Sequence, residues 1–308
     1  MVYSDDEDVT VADRARLIDS FSEPEQPEFV AALAGTAPYL EDIDSYMRSL
    51  EELRRLRDYM PVTMEGITRA RRAELVDWLV EVADDLVLPA DTLHLAVLCV
   101  DRFLSERLVI LSELRLLGVT ALLVAAKYED DTIFVHKVEY FIGFTEKAYT
   151  KQQMVKMEAD ILNLLNFEIG APTARTFLRR YITVRPPPNH ARAKKLEFLC
   201  SYLAELSLLD YDCTRSKPSV VAAACLFVGM FTTSPYARSW KPELQRSTGY
   251  QISDLQFCIL RIHALQVAGR NMREKTIINK YSHWELESVS ELVPPDVIYD
   301  YFLRDIEE

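Results

Sequence analysis

The chain is short of the residues that punctuate β architectures and of the groups that carry out chemistry. Only 8 of its 308 residues are glycine, and with long periodic apolar runs this argues for helices over sheets. The 5 cysteines (Cys99, Cys200, Cys213, Cys225, Cys258) are scattered, with no CxxC pair. An odd set without spacing reads as reduced intracellular thiols filling a core, not as a disulfide framework or a metal site. Basic side chains are outnumbered 35 to 48, for a net charge of −13. That balance works against sequence-independent binding to nucleic acid, whose affinity comes from a basic footprint. The longest apolar run, Ser219 to Phe231, is too short to span a bilayer. The acidic N-terminus carries no signal-peptide pattern, so a soluble protein of nucleus and cytoplasm is expected. The motifs GxxxxGK[ST], HExxH and GxSxG are absent. The five histidines (His94, His136, His190, His263, His283) stand apart, and Cys258 and His263, five residues apart, do not share a helix face. No catalytic machinery, metal site or cofactor site is expected.

What the chain does have is helical periodicity. Apolar residues make up 49% of a length sufficient for two ordinary domains. Residues 1–37 read as an acidic disordered tail, rich in Asp and Glu and interrupted by Pro24 and Pro27. A lead-in helix is expected over Leu40 to Leu53, with Ile43, Tyr46, Met47 and Leu50 on one face. Five more follow: Thr68, as N-cap, to Leu86; a helix capped by Asp91; one capped by Ser112 with an all-apolar middle; a short one over Val135 to Ile142; and one to Asn166 opened by the capping box Thr150–Gln153. A second set spans Ala174–Ile182, Ala191–Leu209, Pro218–Phe231, Lys241–Ser247 and Ser253–Gln266, with a last helix over Met272–Tyr281. Both sets have five helices with an all-apolar third, which suggests duplication of one fold.

Four charged residues stand where periodicity predicts core. Arg72 lies one turn before Leu75, Val76 and Leu79. Asp101 follows Val97 by four and precedes Leu104 by three. Lys127 comes one turn after Leu123 and Val124, and Glu158 lies between Met154 and Ile161. Charged side chains are rarely fully buried unless paired, so this set points to a paired polar cluster or a charged site facing a partner.

The same segments carry a resemblance. LVDWLVEV (Leu75 to Val82), DRFLS (Asp101 to Ser105), AAKYED (Ala125 to Asp130), YTKQQMVKMEADIL (Tyr149 to Leu162) and YLAELSLLDY (Tyr202 to Tyr211) follow one another behind the lead-in PYLEDIDSYMRS. In this the chain resembles the cyclin family, specifically the A-type cyclins and most of all those of plants. The resemblance implies an all-α fold of two tandem five-helix cyclin boxes, an N-terminal one with its lead-in helix over 38–170 and a C-terminal one with its tail over 171–308. It implies a non-catalytic regulatory subunit that binds and activates a cyclin-dependent Ser/Thr kinase to drive the cell cycle. The alternative is a cyclin-box adaptor that binds partners without activating a kinase.

Residue by residue, Arg72 and Asp101 match a buried ion pair that ties the first two box helices together. Lys127 and Glu158 match the residues that bond kinase backbone, with Tyr128 as an apolar anchor. Ile43, Tyr46 and Met47 match residues that pack on the kinase, the other reading being packing on the chain's own box. Arg14 and Leu17 form an RxxL match to the core of a cyclin destruction signal, which implies a ubiquitin ligase as partner. One departure stands out. The family's docking patch for RxL-bearing substrates and inhibitors, written MRxIL, reads here Arg71, Arg72, Ala73, Glu74, Leu75. Trp78, Glu81 and Leu114 still match, whereas Arg115 replaces a Gln. Two apolar side chains, each worth about 1.5–3 kcal/mol when buried, are missing, and weakened RxL docking is expected.

Overall fold

The computed structural model describes residues 39–60, 66–129, 137–184, 189–235, 240–273 and 275–305. The acidic tail, with Arg14 and Leu17, lies outside the described residues. Among those described, every regular element is a helix, and no helix is long and apolar enough to cross a membrane.

The lead-in helix is α1 (Leu40–Leu53). The first bundle is α2 (Arg69–Asp85), α3 (Ala90–Glu106), α4 (Leu114–Glu129), α5 (Val138–Gly143) and α6 (Lys151–Leu164). The second is α7 (Ala174–Val184), α8 (His190–Leu209), a single turn α9 (Tyr211–Thr214), α10 (Pro218–Thr233), α11 (Pro242–Thr248) and α12 (Ile252–Ala268). The short α13 (Thr276–Lys280) and three later 3₁₀ turns complete the described residues.

In each bundle the all-apolar helix is central. Residues Leu116 to Ala126 of α4 are buried without a break, as are residues Val221 to Gly229 of α10. A helix apolar on every side can be satisfied only by neighbours all round. Close approach is built in: a Cβ at Gly118 of α4 would lie 2.8 Å from Leu75 of α2, and at Gly229 of α10 2.7 Å from Cys200 of α8. All five cysteines are free and buried.

Local signals set most boundaries. Thr68 caps α2 by accepting from the amide of Arg71, and the Thr150–Gln153 capping box opens α6. Three expectations need correction. Asp91 is not a cap: α3 starts at Ala90, after Pro89, and Asp91 in its first turn pairs with Arg179 of α7. Ser112 sits inside a 3₁₀ turn before α4, where its carbonyl accepts the Tyr149 hydroxyl. The final helix shrinks to Thr276–Lys280 because its start is set from a distance, by Asp77 of α2, which accepts the amide (3.0 Å) and hydroxyl (2.9 Å) of Thr276.

Helix α1 packs inside out. Its polar residues Asp44, Arg48 and Glu51, spaced for one face, turn toward the second bundle. Glu51 is buried and accepts the amide (3.0 Å) and hydroxyl (2.7 Å) of Ser219 at the start of α10. Arg48 donates to the Thr248 carbonyl (2.6 Å) and to the hydroxyls of Tyr250 (3.2 Å) and Tyr181 (3.4 Å), while Asp44 accepts from Arg48 at 2.9 Å. Burial works against the charge of Arg48, but Asp44 outweighs it and the guanidinium pKa is raised. The apolar residues Tyr39, Ile43, Tyr46 and Leu53 consequently face solvent.

Candidate functional site

The four inward-facing charges resolve into two pairs of different kinds. Arg72 and Asp101 are each 1% exposed and joined by a two-pronged bond, Nε to Oδ1 at 2.7 Å and Nη2 to Oδ2 at 2.6 Å. The pair ties α2 to α3, and Arg72 Nη1 donates to the Leu208 carbonyl at 2.6 Å, at the end of α8. The Tyr59 hydroxyl donates to Asp101 Oδ1 at 2.6 Å, the Tyr59 amide donates to the Tyr211 hydroxyl at 2.9 Å, and the two rings meet edge to face. The pair is thus a hub joining both bundles and the segment that follows α1. Burial opposes the Arg72 charge, yet Asp101 and the hydrogen bonds outweigh it and raise the guanidinium pKa. Burial first, then the Asp101 charge, raises the Tyr59 phenol and holds it as a donor.

Lys127 at the end of α4 and Glu158 in α6 form the other pair, Nζ to Oε1 at 2.6 Å, with 38% and 17% of their side chains exposed. The neighbours of Glu158 one turn away, Met154 and Ile161, are fully buried. The periodicity therefore assigned the face correctly, but both charged groups reach the rim of the bundle. Three exposed apolar side chains lie on the same segments: Tyr128 next to Lys127, Val155 one turn before Glu158 on α6, and Phe167 just past α6. The Tyr128 ring rests on Gly170, where a Cβ would lie 2.1 Å from its hydroxyl oxygen. Phe167 takes a left-handed backbone, φ 59°. Sequence reading missed Phe167 because an isolated phenylalanine between Asn166 and Glu168 breaks no pattern. It also missed Tyr59, Tyr211 and the polar stripe that α1 turns inward; the i, i+4, i+7 spacing of Asp44, Arg48 and Glu51 is the signal that was available.

Of the lead-in residues, Ile43 and Tyr46 are exposed, and Met47 is half-buried against the core. At the recoded patch, Arg71 and Glu74 pair at 2.8 Å, and Arg273 reaches Glu74 at 3.2 Å. The Arg115 guanidinium lies over the Trp78 ring, 5.1 Å from its centre. Leu75 and Leu114 are buried, whereas Glu81 is exposed. Among the described residues no group of His, Cys, Asp or Glu could hold a metal ion.

The architecture defines a helical binding protein: two bundles of one plan, locked by a buried hub, presenting a rim of paired charges and exposed aromatics. The family model "Cyclin, N-terminal domain" matches residues 42–170, and "Cyclin, C-terminal domain" matches residues 172–295. The chain belongs to the cyclin family. Similar proteins include Cyclin-A3-2 of Oryza sativa subsp. japonica, 47% identical over 88% of this chain and 70% of its own. Cyclin-A3-1 of the same organism is 45% identical over 88% and 73%, and Cyclin-A3-4 of Arabidopsis thaliana is 40% identical over 86% and 72%. The fold matches a viral cyclin from herpesvirus saimiri with a TM-score of 0.61 at 19% identity, over 74% of this chain and 94% of that one. This is an A-type cyclin, and its function is that of its class, regulation of a protein kinase.

Proposed function

We propose that the rim bearing Lys127, Tyr128 and Glu158, continued by the outward face of α1, binds the regulatory helix and activation segment of a cyclin-dependent Ser/Thr kinase. The observation that carries this reading is the inverted α1, which buries Glu51, half-buries Asp44 and Arg48 against the second bundle, and leaves Ile43 and Tyr46 outside. Exposing apolar surface while burying charge is unfavourable in isolation, and such surface marks a partner's place. Phe167 adds a third aromatic to Tyr128 and Tyr46, the residue type that often dominates interface energy. Lys127 and Glu158 offer an ammonium and a carboxylate that can open toward backbone carbonyls and amides of the partner.

A kinase transfers phosphate only when its Lys–Glu pair and activation segment are both in place. A subunit that prefers that arrangement shifts the population by its differential affinity. An interface on the order of 2,000 Å² suits a stable signalling complex. The chain itself contributes no catalytic group. At Arg71, Glu74 and Arg273 the patch holds ion pairs, and Arg115 covers the Trp78 ring, where an RxL ligand needs apolar contact, so RxL-bearing substrates and inhibitors dock weakly. The tail's RxxL, Arg14 and Leu17, serves as a ubiquitin-ligase signal.

The test is phosphorylation of histone by a purified cell-cycle kinase, with and without this chain and with Lys127→Ala/Glu158→Ala. Strong activation that falls at least about tenfold in the double variant, a loss of about 1.4 kcal/mol of coupling, supports the reading. A stable complex without activation favours the adaptor, and no complex overturns the proposal.

A further inference from the structure

A groove of about 410 Å³ lies between the exit of α1, helix α3 and the C-terminal turn of α6. Arg54, Arg55 and Arg57 line it from the α1 exit, and Arg102 and Ser105 from α3. Two carboxylates, Glu106 and Glu168, share the lining. Four guanidiniums less two carboxylates leave a formal +2, in a chain whose net charge is −13.

Those carboxylates neutralise the arginines poorly. Arg57 and Glu106 stand 3.5 Å apart, and Arg54 and Glu168 3.6 Å, beyond the 2.7–2.9 Å or so of a charge-assisted hydrogen bond. Arg102 donates to the main-chain carbonyl of Glu168 at 2.7 Å, not to its carboxylate. Arg54 is mostly buried, and its Nη1 is enclosed without a hydrogen-bond partner. A buried donor left unmade is costly and uncommon. Burial lowers the Arg102 pKa, and the neighbouring Arg54 charge acts in the same direction.

We propose that this groove binds a phosphoryl group carried on a polypeptide segment. A phosphoryl group brings about −1.5 to −2 charge and three acceptor oxygens, which match the +2 lining, and guanidinium forks fit its geometry two bonds at a time. A single carboxylate has too little charge and too few acceptors for four arginines. The volume exceeds what a lone ion fills and suits a larger ligand, so residues flanking the phosphoryl group fit as well. The groove adjoins the proposed kinase rim, since its Asn166 and Glu168 flank Phe167, but the proposal rests on the arginine lining and not on the kinase reading.

The full chain is to be melted with the capped tripeptide Gly-phosphoserine-Gly, its glutamate counterpart, inorganic phosphate and chloride, all at matched ionic strength. Near ten times its Kd, the phosphopeptide raises Tm by about 3 °C over chloride. That shift at least halves in Arg55→Gln/Arg57→Gln, whose exposed side chains leave the fold intact, and vanishes when Arg54→Gln is added. Because the triple variant alters a packed arginine, the ³¹P resonance of the phosphopeptide is followed in parallel: it broadens with the wild type and with the double variant less so. No shift over chloride, an equal shift in wild type and double variant, or an equal effect of the glutamate peptide overturns the proposal. An equal effect of inorganic phosphate overturns its polypeptide part.

Discussion

Arg72–Asp101 and Lys127–Glu158 invite comparison because their bonds are equally short, 2.6 Å at the closest in each. Both bring together a cation and an anion from different helices of one bundle, yet one is sealed and the other lies at the rim. The sealed pair has two prongs, a third donor into the Leu208 carbonyl and a tyrosine on its carboxylate. The rim pair has one bond, and water competes for both groups. Distance is therefore a poor guide to role. What separates a structural pair from one that can exchange partners is how many other groups depend on it and whether water can replace it.

Breaking the sealed pair should have the largest effect. Arg72→Ala leaves Asp101 charged and buried, and a cost of about 3–5 kcal/mol is expected in denaturant unfolding. A loss under about 1 kcal/mol would place this pair in the same class as the rim pair. His94 sharpens the contrast through pH. It is buried, one Nε2 has no partner, and burial lowers its pKa to about 4 from 6.5. The folded state therefore disfavours the protonated ring. The stability of keeping it neutral is present above pH 6.5 and is lost as pH falls through 4. Between pH 7 and 4.5 the wild type should lose about 2 kcal/mol more than His94→Leu; parallel pH curves would show the ring is not held neutral by the fold.

At the rim, Lys127→Ala/Glu158→Ala should change folding stability by less than about 1 kcal/mol while lowering kinase activation by about tenfold or more, as the proposed function expects. A melt well below wild type would make that pair structural too. The smallest effect concerns Val87, which ends α2 in the left-handed region at φ 53°. A β-branched side chain is strained there, so Val87→Gly should stabilise by about 0.5–1 kcal/mol in thermal unfolding, minus the packing its side chain loses.

The sequence alone determined the helices, their two-fold repetition and the face on which each charge sits, because 3.6-residue periodicity, caps and all-apolar runs are local. Leu116 to Ala126 had to be central, and Thr68 and the Thr150–Gln153 box had to start helices. Only the tertiary structure decided depth. Arg72 and Lys127 follow the same pattern along their helices, but one is covered by the second bundle and the other lies at an edge. Periodicity carries an angle around the helix axis and no information about what packs outside it. For the same reason α1 was legible as an amphipathic helix but its orientation was not: Ser219, Thr248 and Tyr250, some 170–200 residues away, hold its polar face. The start of α13 and the arginine groove were also invisible, since each joins segments that meet only when the chain is folded.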